Sequence, residues 1–396
     1  MAMDDKVPAP AGATTLSLTN ASFRSAFYQA LLLLMIAGAG WFLMSNLMYN
    51  REVRGITTGY GFLFREAGFS ISETLISFAP SDSYARAFLV GLLNTAKVSV
   101  LAILLSTAVG VLVGIARLSP NWLARKIAAG YVDFVRNVPL IAQLLLWSGL
   151  ISISAPSPRQ AFNLMNTIFI SNRGIQIPSI EPYEPIVWVI LATFLSVLFV
   201  SLATYISRRH LATQGAPLQN YRTWLILIAS VPVLVWITGP SPAALHFPEL
   251  KGFNFEGGAN LSPEFVAMLI GLTVYSGAFI AEIVRGGLMG VSHGQTEAAH
   301  ALGLHRRATL RRIILPQAVR IMIPSLTSQY LNVFKNSSLA VVIGYPDLVS
   351  IGNTTGNQTG QVIEAISIFM AVYLAISISI AIGMNAYNSR MALKER

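Results

Sequence analysis

The sequence predicts an all-α protein that crosses a lipid bilayer about eight times, and three observations carry that reading. Of its 396 residues, 54% are hydrophobic and 11% charged, whereas an average soluble domain is about 25% charged, so the polar surface is too small to keep the chain in water. Apolar runs of about 20 residues, enough to cover about 30 Å of hydrocarbon at helical rise, recur along the chain. The cations are divided unevenly between the segments that join those runs. Helices follow, because an open sheet edge in lipid would leave backbone N–H and C=O groups unpaired.

Taken in order, residues 1–25 include Asp4, Asp5, Pro8 and Pro10 without a basic start or a small-residue cleavage pattern. They read as a flexible cytoplasmic tail ahead of a retained anchor helix at 26–48. A polar outer segment at 49–87 completes an N-terminal region of 26–87. Spans at 88–117 and 123–150 come next, joined through the basic turn 118–126 as a tight inward hairpin. The outer stretch 151–184 carries Pro156, Pro158, Pro178 and Pro182 and leads to two spans, 185–206 and 221–239, around the basic loop 207–222. That pair looks inserted, and its near lack of ionisable residues reads as lipid-facing support. A second outer stretch, 240–262, precedes the last spans at 263–289, 319–343 and 362–387, and 388–396 is a cytoplasmic tail.

The formal net charge of +10 could suggest nucleic acid as a partner, but the cations follow topology instead. With the amino terminus inside, inner segments hold 16 Lys and Arg, from Lys6 to Arg396, and outer segments hold seven: Arg51, Arg54, Arg65, Arg86, Arg159, Arg173 and Lys251. That bias is the positive-inside pattern for an even number of spans with both termini cytoplasmic. The chain has no cysteine, so thiolate metal sites and disulfides are excluded and the redox compartment is unreadable.

The cytoplasmic segment 290–318 is far more polar than its flanks. Ser292 and Gln295 have capping-box spacing, so a short helix is expected to start there. Good helix formers run to Leu302, and Gly303 supplies the left-handed residue that ends a helix. A second short helix carries Arg306, Arg307, Arg311 and Arg312, with Pro316 where the chain turns toward the membrane. On pattern alone this is a two-helix hairpin that either connects spans along the lipid surface or docks a partner. His293, His300 and His305 stand seven and five apart, without the i, i+4 spacing of a helical zinc pair, and do not read as a metal site.

The spacing within this segment is more specific. Glu297-Ala298-Ala299, three residues, Gly303, nine residues, Ile313, one residue and Leu315-Pro316 resembles the EAA loop of ATP-binding-cassette importer permeases. The stretches Tyr131 to Leu140, Ala281 to Gly287 and Phe334 to Leu339 are similar to three further motifs of the polar amino-acid subfamily. Together the resemblance covers about 88–387, which it makes the permease domain of a type I importer fold. It implies a multi-pass subunit of a bacterial inner membrane that passes amino acids, of the larger kind found in general or acidic L-amino-acid importers. It also implies partners: a sister permease in a heterodimer, two copies of a cytoplasmic ABC ATPase and a periplasmic amino-acid-binding protein. Glu297, Ala298, Ala299, Gly303, Arg306 and Arg307 would couple to the ATPase. The usual subfamily member has five spans, so the anchor and the inserted pair depart from the pattern.

Charges at membrane depth need a reason, since each costs about 2.5–3.5 kcal/mol at a helix centre on insertion scales. Asp133 with Arg136, and Glu282 with Arg285, stand three apart and can each neutralise on one helix face. Two readings stand: a structural pair, or the lining of an inner gate that replaces water on a zwitterion, with Asn137 beside it. Lys97, near an outer end, reads as a snorkelling side chain. Lys335, followed by Asn336, Ser337 and Ser338, reads as lining a solute path or touching a second subunit.

No GxxxxGK[ST] phosphate loop and no GxSxG elbow occur, so the chain reads as a non-enzyme that binds no cofactor, with ATP and Mg held by a partner ATPase. The rival class is a self-contained secondary transporter of small polar solutes, which would need coupling acids at mid-membrane and typically an inverted repeat, and no repeat is visible. A channel filter of repeated segments is not visible either.

Overall fold

The computed structural model describes residues 21–53, 58–180 and 245–391, with isolated positions between 192 and 235. Residues 1–20 of the expected tail, most of the inserted pair and residues 392–396 lie outside the described residues, while 21–25 and 388–391, expected in the two tails, are helical instead. Among those described, the helices are α1 (Ala21–Val53), α2 (Tyr84–Ala116), α3 (Trp122–Asn137), α4 (Leu140–Gly149), α5 (Pro263–Met289), α6 (His293–Ala301), α7 (Arg306–Thr309), α8 (Leu315–Asn336), α9 (Leu348–Thr359) and α10 (Val362–Met391). Four are long and apolar enough to cross a membrane by themselves: α1, α2, α5 and α10. Along α1 the described side chains are exposed, including Trp41, Leu34 and Leu33, so its apolar length suits hydrocarbon.

α2 and α5 form the centre of the bundle. Small residues let them approach closely: a Cβ built on Gly110 would lie 2.5 Å from Ile280, and one on Gly114 would lie 2.8 Å from the Ala281 carbonyl oxygen. Val98 and Ala102 of α2, Leu144 of α4, Phe265, Met268 and Leu272 of α5 and Val333 of α8 build the main apolar core. A second cluster sits at the outer end, where Phe62 and Ala67 of the outer segment pack on Tyr84, Phe88, Leu348 and Ala365.

Two expected spans are not straight crossings. The run expected at 123–150 is α3 and α4, bent by 103°. The cause is local: Pro139 has no N–H to give and forces Val138 into extended backbone (φ −99, ψ 126), so the helix stops. α3 is amphipathic, burying Ala128, Val132 and Val135, while Asp133, Phe134 and Arg136 remain exposed. Gln143 repairs the break by donating to the carbonyls of Val135 and Val138, both at 3.0 Å. The run expected at 319–343 is likewise broken. α8 passes into a 3-10 turn over Ser337–Ile343, Gly344 adopts φ 79, and α9 restarts at Leu348.

Outer segments left irregular by the sequence reading form short strands of two to four residues: β1 (Phe162–Leu164), β2 (Ile168–Ser171), β3 (Gly174–Ile177), β4 (Ser179–Ile180), β5 (Leu245–His246), β6 (Glu249–Lys251), β7 (Asn254–Glu256) and β8 (Ala259–Leu261). One antiparallel sheet has the order β1-β2-β3-β8, with Ile175 opposite Leu261 and Ile177 opposite Ala259. Ser179 pairs with His246, so the two ends of the 181–244 stretch are held side by side.

Candidate functional site

Three groups of residues concentrate polar chemistry. The first is the polar hairpin between α5 and α8. α6 ends at Leu302 and Gly303 takes φ 72, with its N–H bonded to the His300 carbonyl. Nothing lies within 4 Å of where its Cβ would be, so the glycine is required by backbone angle and not by space. Ala299 is buried and anchors α6, while Glu297 and Leu302 point outward, at 71% and 79% exposure. Glu297 pairs with His293 one turn away, at 3.0 Å. Ala298, Arg306 and Arg307 are exposed on the same hairpin.

Two local expectations fail here. The Ser292 side chain makes no cap bond; the Gln295 N–H goes to the Ser292 carbonyl at 3.0 Å, and its side chain accepts from Gln317 instead. The chain also does not turn at Pro316. α7 continues through a π-helical turn over Leu310–Ile314 into α8: the Leu315 N–H reaches back to the Leu310 carbonyl, and this wider turn lets the helix run on through Pro316, which has no N–H to give. α7 and α8 therefore form one continuous helix, which α6 joins through the turn at Gly303.

The second group lies at the inner ends of α2, α3 and α5. Glu282 accepts from Arg285 at 2.5 Å and from Arg117, which stands at the end of α2 and which no helical spacing singles out. Asp133 and Arg136 do not pair. The Arg136 guanidinium lies 5.1 Å over the Phe279 ring, and Asp133 meets Asn137 only through its backbone carbonyl, at 2.7 Å. The reason is that α3 lies on its buried Ala128 face, which leaves Asp133 outward and carries Arg136 to α5.

The third group surrounds the break between α8 and α9. Lys335 and Ser338 border a cavity of about 470 Å³ with Phe369, Met370 and Tyr373 of α10. Ser337 is turned away from it: the side chain is buried and bonds the Phe334 carbonyl at 2.7 Å, while Asn336 is half-buried. Behind the cavity, the Asn94 side chain donates to the Pro346 carbonyl at 2.9 Å, and the Asn94 backbone carbonyl accepts from the Tyr345 hydroxyl at 3.2 Å. Thr95 takes the Leu348 N–H at 3.1 Å. Asp347 is fully buried; one carboxylate oxygen caps α9 at Ser350 N (2.8 Å), and the other makes no hydrogen bond of good geometry, as is true of the Tyr373 hydroxyl. Asn94 lies ten residues into the 33-residue α2, about 15 Å along it from Tyr84. None of Asn94, Thr95, Asp347 and Tyr373 stands out in the sequence. Asp347 lies just past the expected span end at 343, where nothing local signals burial.

A bundle of apolar spans with one span broken around buried polar groups, and a polar two-helix hairpin beyond it, defines a polytopic membrane protein. The family model for the binding-protein-dependent transport system inner membrane component matches residues 219–393. Among curated relatives, the putative amino-acid ABC transporter permease protein YhdX of Escherichia coli (strain K12) is 45% identical over 96% of this chain and 98% of its own length. The general L-amino acid transport system permease protein AapQ of Rhizobium johnstonii is 41% identical over 94% of both chains. The glutamate/glutamine/aspartate/asparagine transport system permease protein BztB of Rhodobacter capsulatus is 36% identical over the whole of both. The chain belongs to this family of ABC importer permeases, multi-pass proteins of the inner membrane.

Proposed function

We propose that this chain passes amino acids, polar or over a broad range of L-amino acids, through the inner membrane, and that ATP is hydrolysed elsewhere. Its relatives over at least 94% of its length are named as amino-acid permeases, and that observation carries the reading. The hairpin built on Glu297, Ala298, Ala299 and Gly303 would dock a cytoplasmic ABC ATPase holding ATP and Mg, present in two copies, with Arg306 and Arg307 at the contact. The continuity of α7 with α8 supports this, since a push passed to α7 would travel along one helix into the membrane.

A sister permease and a periplasmic amino-acid-binding protein complete the assembly, with both termini of this chain cytoplasmic. The exposed stripe of α8 supports a second permease: Ser325, Ser328, Asn332 and Lys335 all lie on it. Polar side chains at membrane depth face protein or water and not lipid. The solute would pass this stripe and the inner group of Asp133, Arg136, Asn137, Glu282 and Arg285.

Reconstitution of the complex with its genetically neighbouring subunits, followed by uptake of a panel of labelled amino acids, tests the reading. Uptake that requires ATP on the cytoplasmic side supports it. Uptake that runs on an ion gradient without ATP would establish the secondary-transporter alternative.

A further inference from the structure

Lys97 does not snorkel. Its ammonium lies 2.5 Å from Glu73 Oε1 and 4.2 Å above the Phe265 ring, turned into the protein. The other carboxylate oxygen of Glu73 accepts from the Ser262 hydroxyl at 2.5 Å, and that hydroxyl in turn caps α5 by taking the Phe265 N–H at 3.1 Å. Asn94 holds the backbone of Glu73 through its carbonyl at 2.8 Å. A residue of the outer segment thus reaches between α2 and α5 and is held by groups from both.

The geometry around Glu73 is that of a hook. Its side chain is 8% exposed, whereas Ser72, Thr74 and Leu75 beside it are exposed. The segment is anchored on either side of the hook. Before it, Phe62 and Ala67 sit in the outer apolar cluster and the Tyr60 hydroxyl lies 2.9 Å from the Ser367 hydroxyl of α10. After it, the Arg86 guanidinium holds the Ser77 carbonyl at 2.7 Å. Withdrawing Glu73 therefore needs movement of the 72–76 stretch only. It would leave the largely buried Lys97 ammonium without a counter-charge, which is strongly unfavourable unless another carboxylate takes the place. Lys97 keeps 19% of its side chain exposed, so the place is not sealed.

We propose that Lys97 and Ser262 form a carboxylate-binding site between α2 and the start of α5, that Glu73 fills it as an internal cap while Asn94 holds the Glu73 backbone, and that the carboxylate of an incoming amino acid displaces Glu73. This rests on the amino-acid reading above. The cap and the solute compete for one ammonium, so the empty permease is held closed at this point and opens only to a molecule that brings its own carboxylate. The exchange is charge-neutral at the site, one carboxylate for another, and this is why it selects carboxylates over amines or sugars.

The test uses the assembled transporter and labelled L-glutamine, with the carboxylate-free L-glutaminamide as control. Glu73→Gln keeps the shape of the hook but removes its charge, and should tighten apparent L-glutamine binding by roughly 5- to 150-fold, the range of an ordinary coupling between sites. Adding Lys97→Met should abolish that gain, and L-glutaminamide should show none. The reversed pair, Glu73→Lys with Lys97→Glu, should assemble but lose uptake, because the ammonium now sits on the hook. Parent-rate uptake by the reversed pair would show a structural tether and overturn the proposal, as would a Glu73→Gln gain that survives Lys97→Met or unchanged binding in Glu73→Gln. If Glu73→Gln fails to assemble, the reversed pair decides alone. A parent complex that takes up no labelled amino acid with ATP would remove the functional reading itself, whereas parent uptake with unaltered variants removes only the cap.

Discussion

Asp133 and Arg136 have the spacing of a helical ion pair, yet α3 carries them to different surroundings, one to an exposed face and the other over Phe279. Their contributions should therefore add. Asp133→Asn and Arg136→Met, measured singly and together by thermal unfolding of the purified complex, should show a coupling energy below roughly 0.5 kcal/mol, the lower end for residues in contact; a larger coupling energy would restore the pair. Glu282 is the contrasting case. It receives Arg285 and Arg117 together, tying the end of α2 to α5, and Glu282→Gln leaves two guanidiniums without their acid. With Glu282 still 29% exposed, solvent softens the loss, and a destabilisation of about 1.5 kcal/mol is expected. Equal stability of parent and Glu282→Gln would show that neither contact persists in the assembled protein.

At the level of elements, glycine has two uses that a substitution can separate. In α2, Gly114 lets α5 approach, and a methyl there would meet the Ala281 carbonyl oxygen at 2.8 Å, so the helices must part. Gly114→Ala should cost about 1–3 kcal/mol in thermal unfolding, while Gly286→Ala, on an exposed face of α5 with nothing within 4 Å, should be neutral or stabilising by about 1 kcal/mol. If the two variants behave alike, the α2–α5 contact is looser than described. In the hairpin, Gly303 serves angle alone. Gly303→Val puts a β-branched residue at φ 72, a strain of about 1–2 kcal/mol, and should tilt α7 and the α8 that continues from it. The variant should insert normally but lose the ATPase on affinity co-purification. Full recovery of the ATPase with full transport would show that the hairpin angle is not what docking reads.

For the molecule as a whole, the exposed polar stripe of α8 decides which face meets lipid. Lys335→Met keeps length and apolar stem while removing the charge. It should assemble and yet lose most ATP-driven uptake, because the cation borders the cavity between α8 and α10 and lies on a face that lipid cannot solvate. Uptake at the parent rate, or cysteine probes at 335 and 338 that react only with lipid-soluble reagents, would place this face in the bilayer and put the subunit contact elsewhere.

Much of the architecture is written in the chain itself. A stretch of about 20 apolar residues has one way to satisfy its backbone in hydrocarbon, so α1, α2, α5 and α10 are legible as spans, and the cation bias follows from the same constraint. Gly303 is legible because only a left-handed residue ends α6 in that way. What the tertiary structure alone decided are the meetings between distant residues. Glu73 and Lys97 are 24 apart in the chain and Arg117 and Glu282 are 165 apart, so no helical spacing could announce either pair. Local position assigns surroundings to Asp133, Ser292 and Lys97, and in each case packing chose otherwise, because which face a helix buries depends on the neighbour it lies against and not on its own period. The outer strands, two to four residues long, fall below any readable alternation; β1–β2–β3 and β6–β7 are local pairs, while β3–β8 and β4–β5 exist because segments on either side of the 181–244 stretch are brought together.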